Sequence, residues 1–193
     1  MYKHALFAFL ITAIVSADAF AATGNIVVYD DTDENQFNHN AAACGDGGAF
    51  FGETSVFHGG SAAVAIPKGD NDGAGWAAPS VYSATSDYDG VSFWINAGSA
   101  QTSLTSLAVY DASNDPHFLH LEDMYGAPLP ANTWIEFTVP FSSPYFATAS
   151  STSPATVQAV CIINHSDGGP TSYLYIDDVA LTGADIFKNG FEN

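Results

Sequence analysis

The sequence predicts an all-β fold, a sandwich of two antiparallel sheets. Three observations predict it. No segment places apolar residues at the 3.6-residue period of a helix, and Lys, Gln and Arg, which commonly cover helix surfaces, are scarce. Short runs of aromatic and branched residues recur between clusters of Gly, Pro, Asn, Asp and Ser. Within several of these runs, residues fall into two sets of alternating position, as the pleat of a strand requires.

Taken in order, residues 25–29 (Asn-Ile-Val-Val-Tyr) form the first strand, and the acidic, Gly-rich stretch 30–48 behind it reads as a long loop. The turn His58-Gly59-Gly60-Ser61 leads into a strand at 62–66, and further strands are expected at 76–82, 91–96, 104–110 and 117–122. After Ala131-Asn132-Thr133 comes a strand at 134–139, then a Ser/Thr/Pro-rich loop at 142–156, then strands at 157–164 and 173–181. Eight or nine strands with turn signals between them suit a sandwich. Alternation sets Phe93, Ile95, Leu107, Val109, Leu119, Leu121, Ile135, Phe137 and Val139 toward the core. It leaves Trp94, Tyr110, Phe118, His120, Glu122 and Trp134 pointing outward, an unusually aromatic set for surfaces facing only water.

Residues 1–21 read as a secretory signal peptide. Lys3 and His4 precede an apolar run ending at Val15, and Ala19-Phe20-Ala21 supplies the Ala-x-Ala cleavage pattern. The apolar run falls short of the roughly 20 residues of a membrane span, so no membrane insertion is expected. About 170 residues remain, enough for one domain with a substantial core, assigned to 22–183, with 184–193 as a separate tail. A hydrophobic fraction of 47% with 13% aromatics argues for a packed globule despite the formal net charge of −18. That charge repels nucleic acid and anionic lipid, leaving neutral sugars, cations and basic proteins as possible partners. Cys44 and Cys161, in an exported chain, are expected to form one long-range disulfide, which in the chain-entropy model contributes roughly 4–5 kcal/mol.

The closing run Tyr173-Leu174-Tyr175-Ile176-Asp177-Asp178-Val179-Ala180-Leu181 sets two carboxylates in the middle of an apolar strand. Burying a carboxylate without a counter-charge is costly, and past the leader the chain has Lys68 and Lys188 and no Arg. A hard cation, Ca²⁺ above all, is the natural partner; the other reading keeps both carboxylates hydrated at the strand's edge.

Several motifs together resemble the secreted jelly-roll carbohydrate-binding modules of the galactose-binding-like type. They are the strand ending Val28-Tyr29-Asp30-Asp31, the His58-Gly59-Gly60-Ser61 turn, Val91-Ser92-Phe93-Trp94-Ile95, Ala131-Asn132-Thr133-Trp134, and Tyr175-Ile176-Asp177-Asp178-Val179. The resemblance implies a jelly roll with a structural Ca²⁺ joining its first and last strands. Carried onto this sequence, the ligands would be Asp177 and Asp178, with Asp30 or Asp31 opposite and backbone carbonyls of the turn from His58 to Ser61. The ending Ile186-Phe187-Lys188-Asn189-Gly190-Phe191-Glu192 resembles tails of some secreted bacterial proteins.

Sugar rings present apolar C–H faces and hydroxyls, so a binder needs flat aromatics with a few hydrogen-bonding groups. Trp76, Trp94, Tyr110, His120, Glu122 and Tyr125 are the candidate set for a neutral oligo- or polysaccharide. The same sandwich could instead serve as a protein-interaction module. Enzyme signals are weak. Gly59-Gly60-Ser61-Ala62-Ala63 lacks the final Gly of a nucleophile elbow and precedes a strand. A carboxylate pair for glycoside hydrolysis would have to come from Glu122 and Glu136. His117 and His120 fall on opposite strand faces, which argues against zinc. Asp70-Asn71-Asp72-Gly73 has Val81 where a calcium-binding EF-hand loop needs Glu.

Overall fold

The computed structural model describes residues 24–31, 37–39, 44, 48–69, 71–102, 104–146, 152–165 and 172–183. The expected leader (1–21) and tail (184–193) lie outside the described residues, as does Asp70. The runs of alternating residues become strands wherever one face can be buried. In chain order these are β1 (Ile26–Tyr29), β2 (Asn38–His39), β3 (Phe50–Glu53), β4 (Ala63–Pro67), β5 (Asp72–Ser83), β6 (Tyr88–Asn96), β7 (Thr105–Tyr110), β8 (Pro116–His120), β9 (Trp134–Pro140), β10 (Thr156–Asn164) and β11 (Tyr173–Gly183).

They pair antiparallel in two sheets. One has the order β3-β4-β11-β6-β9, with β1 also pairing to β11; the other has the order β2-β5-β10-β7-β8. The all-β sandwich expected from alternation is therefore the observed architecture, a jelly roll of two antiparallel sheets. Phe93, Ile95, Leu107, Val109, Leu119, Phe137 and Val139 meet between the sheets as alternation places them, whereas Ile135 is only half-buried at the β9 edge.

Three departures concern elements. The strand expected at 117–122 stops at His120, and Leu121–Tyr125 forms a short helix, α1. Leu121 is buried and Met124, three positions on, packs against the same core, which is helical spacing. Gly126 closes the helix in the left-handed conformation, its N–H donating to the Glu122 carbonyl. β2 falls inside the stretch read as loop, and β3 was not expected at all.

Strand β11 contains the bulge that explains its paired carboxylates. Its register with β6 shifts between Asp177 and Ala180, and Asp178 there has φ 52°. Strict alternation would turn Asp178 into the core. The bulge adds one residue instead, so Ile176 and Val179 both stay buried inward while Asp177 and Asp178 both belong to the outer side.

Candidate functional site

Outside the six-stranded sheet, residues 58–62 are tied down by carboxylates. Asp177 is fully buried; its Oδ2 accepts from the N–H of His58 (2.7 Å) and of Gly59 (3.2 Å), and its Oδ1 from the N–H of Asp178 (2.9 Å). Asp31 Oδ1 accepts from the N–H of Ser61 (2.6 Å) and of Ala62 (2.9 Å). Asp178 Oδ2 lies 2.9 Å from His58 Nδ1. Burial pushes the Asp177 carboxyl above the ordinary carboxylate range; the N–H donors of His58 and Gly59 pull it back, and the neighbouring Asp178 charge adds to the rise.

A cation at this place would have to share these carboxylates with backbone donors. The 58–62 turn offers these carboxylates N–H donors where a calcium site needs carbonyl oxygens. Among the described residues, no three His, Cys, Asp or Glu side chains gather as a metal-holding group. Asp30 is exposed. As placed, Asp31 and Asp177 take backbone N–H donors of the turn that carries His58 and Ser61, Asp178 meets the His58 ring, and Asp30 stands exposed: the carboxylates pin a turn.

The pinned turn sets His58 over the sheet. Its ring stacks on Trp94 at 3.7 Å and 13°, and meets Trp134 edge-on at 5.7 Å. One face of Trp94, a candidate sugar platform, is thus taken by His58. Beside it, the cross-strand row Tyr175, Asn96, Trp134 lines a cavity of about 360 Å³ together with Asn132, Ser172 and Tyr173.

The outer face of the five-stranded sheet is built differently. Its rows across β5, β10, β7 and β8 are Ala77, Ala159, Tyr110, Pro116; then Gly75, Cys161, Ala108, Phe118; then Gly73, Ile163, Ser106, His120. Cys44 is bonded to Cys161 across this face, with Cα atoms 5.7 Å apart, as expected from the two-cysteine count. Glycine at 75 makes room for it, since a Cβ there would lie 1.9 Å from Cys44 Sγ. The disulfide, Ala108 and Ile163 form a small second apolar cluster, with Tyr110 and Phe118 packed against it. Beyond that cluster a groove of about 220 Å³ opens, lined by Ser106, Phe118, His120 and His165. Ser106 Oγ and His120 Nδ1 are 3.0 Å apart.

The six candidate sugar contacts are therefore dispersed. Tyr110 and His120 share the outer face of the five-stranded sheet, and Trp94 lies on the outer face of the other. Trp76 is in the core, 1% exposed, with its ring 6.2 Å from Tyr29 and 6.1 Å from Phe51, and cannot meet a ligand. Its place follows from parity: Gly73, Gly75 and Ala77 take the outer positions of β5, which turns Ala74 and Trp76 inward. Tyr125 is exposed on α1, 6.4 Å from Phe137. Glu122 moves off the His120 face with the start of α1. Both its oxygens accept from the Thr105 N–H at 3.0 Å, and burial raises its carboxyl above the ordinary range against that hydrogen bond. Glu136 is paired across the other sheet with Trp94, so the two glutamates do not face one another across a cleft. His117 lies in the row of Val109, opposite in face to His120. Among the residues around these two openings that sequence reasoning did not single out are Asn96, Tyr173 and Tyr175 beside the first and Ser106 and His165 beside the second. Tyr173 and Tyr175 alternate with buried Leu174 and Ile176, a signal readable in the sequence but overshadowed by the two aspartates.

The chain matches no family model, and no curated protein matches it in sequence. Solved structures share its fold. A family 30 carbohydrate-binding module of a cellulosomal cellulase from Clostridium thermocellum superposes with a TM-score of 0.53 at 8% identity, covering 83% of this chain and 98% of that one. A mutant of a family 29 carbohydrate-binding module complexed with mannohexaose gives a TM-score of 0.51 at 8% identity, covering 85% of this chain and 93% of that one. At such identities the likeness is one of fold: this is the jelly-roll sandwich that carbohydrate-binding modules use.

Proposed function

We propose that the protein is an exported, non-catalytic module that binds a neutral oligo- or polysaccharide on the outer face of its five-stranded sheet. The observation that carries the proposal is the groove where Phe118 and His120 flank Ser106, one row from Tyr110. It offers an aromatic surface for a sugar's C–H face beside a hydroxyl and imidazoles for its hydroxyls. None of its lining residues carries a permanent charge, which suits a neutral ligand in an acidic chain. The shared fold supports the reading, and so does Glu122, whose two oxygens are taken up by the Thr105 N–H rather than left facing a cleft. Export is inferred from the leader read in residues 1–21 and fits the disulfide.

Affinity electrophoresis through gels containing mannan, β-glucan or xylan tests it. Retardation on at least one polymer is expected, with a Kd in the range of roughly micromolar to millimolar. Phe118→Ala and His120→Ala should each lose most of it. Because the contacts are uncharged, retardation should hold between about 0.05 and 0.5 M salt. Unaltered mobility on every polymer would overturn the proposal.

A further inference from the structure

We infer that a second neutral-sugar site lies on the opposite face of the sandwich, in the cavity framed by Trp134, Tyr173, Tyr175, Asn96, Asn132 and Ser172. It does not rest on the groove described above, with which it shares no residue. The first ground is chemistry. In a chain with 21 acidic residues, none of the cavity's lining residues is charged. The charge felt by a lining side chain is the Glu53 carboxylate, which acts on Tyr175 and disfavours an anionic ligand. Three aromatic rings, two carboxamides and two serine hydroxyls, Ser99 supplying the second, match a ligand that alternates C–H faces with hydroxyls.

The second ground is rigidity. Asn132 donates its N–H to the Gly98 carbonyl (2.7 Å), and Gly98 donates its N–H to Asn96 Oδ1 (2.8 Å). That bond fixes the Asn96 carboxamide and leaves its NH₂ as the donor it can offer the cavity. Gly98 sits at φ +65°, and a Cβ there would lie 2.1 Å from the Tyr173 carbonyl oxygen, so the 97–99 turn is pressed against β11. Ser172 is fixed from behind, its carbonyl accepting the Lys68 N–H at 2.8 Å, while the buried Lys68 ammonium donates to the carbonyl of Ala100. A framework already closed in this way loses little conformational freedom when a small ligand enters. At about 360 Å³ the cavity is near the small end of ligand pockets, which suits one or two sugar residues more than a long chain.

The test uses intrinsic fluorescence. The chain has three Trp: Trp76 is buried in the core, Trp94 and Trp134 lie on the cavity's face, and the groove residues include none. The protein is titrated with glucose, mannose, xylose and galactose, and with mannobiose, cellobiose and xylobiose. A saturable change in indole emission is expected for at least one, with a Kd on the order of millimolar. Trp134→Phe should abolish most of the signal. Asn132→Gly, which suits the left-handed backbone at that residue (φ 51°) and removes the carboxamide with its methylene, should weaken binding about tenfold. Tyr175→Ala should eliminate it, and Phe118→Ala should leave it intact. Emission that stays flat with every sugar, or a change abolished by Phe118→Ala and unaffected by Asn132→Gly, would overturn the inference. A saturable signal in a protein that shows no retardation on polymer gels would keep this site and remove the groove.

Discussion

Asp177 is fully buried in a chain without Arg, and it draws on backbone N–H groups from both its own strand and the 58–59 segment. Charge-assisted bonds of this kind are the stronger class of hydrogen bond, and leaving their donors unmatched costs about 1–3 kcal/mol each. Asp177→Asn keeps one acceptor oxygen and so can serve the His58 and Gly59 donors or the Asp178 donor, but not both sides. It should lose about 1–3 kcal/mol in urea unfolding, and Asp177→Ala should lose more. A pH effect follows from the same burial. Asp177 and Glu122 are both raised by desolvation above ordinary values of 3.8 and 4.5. Each then holds its proton in the fold at a pH where the unfolded chain has released it. The resulting stabilisation is complete below the unfolded value and is lost as pH rises through the folded one. Glu53 and Asp111, lowered chiefly by hydrogen bonds from Ser55 and from the Asp115 backbone, have the opposite sign and matter only as pH falls below about 4. Calorimetry should therefore find a Tm that falls as pH rises above the ordinary carboxylate range, with a smaller fall in Asp177→Asn.

At the scale of elements, the 58–62 turn is an attached piece of the six-stranded sheet, held by Asp177 and Asp31. Because N–H groups of the turn already engage one oxygen each of Asp177 and Asp31, we expect EDTA to leave the melting temperature unchanged and elemental analysis to find no bound metal. The comparison is sensitive: a calcium ion at a hundredfold excess over its Kd would contribute roughly 2.7 kcal/mol, a shift of about 5–10 °C. A fall of that size on chelation would restore the cation. The strands were legible where large apolar residues alternate with something else, as in Phe93 and Ile95 of β6 or Phe137 and Val139 of β9. They were obscure where the outer positions are as small as the inner ones, which is why Trp76, among Gly73, Ala74, Gly75 and Ala77, gave no parity. β3 is short, and its register with β4 shifts between Phe51 and Glu53, so no run of alternation was there to read. The helix at Leu121 was hidden because Leu121 continues the strand's alternation and faces inward either way. Of the candidate binding residues, Tyr110 and His120 were readable as outward positions. Their separation from Trp94 was not, since it depends on which strands share a sheet.

For the molecule as a whole, the Cys44–Cys161 link joins positions 117 apart and fastens the chain over the outer face of the five-stranded sheet. Removing both sulfurs as Cys44→Ser/Cys161→Ser should lower stability by about 2–5 kcal/mol, measured by urea unfolding. Titration of the unreduced, denatured wild type should find no free thiol. Neither change touches the six-stranded sheet's cavity, whose sugar response should persist wherever the double variant still folds. The two proposed openings belong to opposite layers of the sandwich, and they look away from each other. One short oligosaccharide cannot reach both, so the second site adds nothing to the grip on a single strand. What it adds is a junction: each copy of the protein would hold one polymer strand in the groove and the one- or two-residue end of another in the cavity, and a population of copies would knit loose polysaccharide into a mesh.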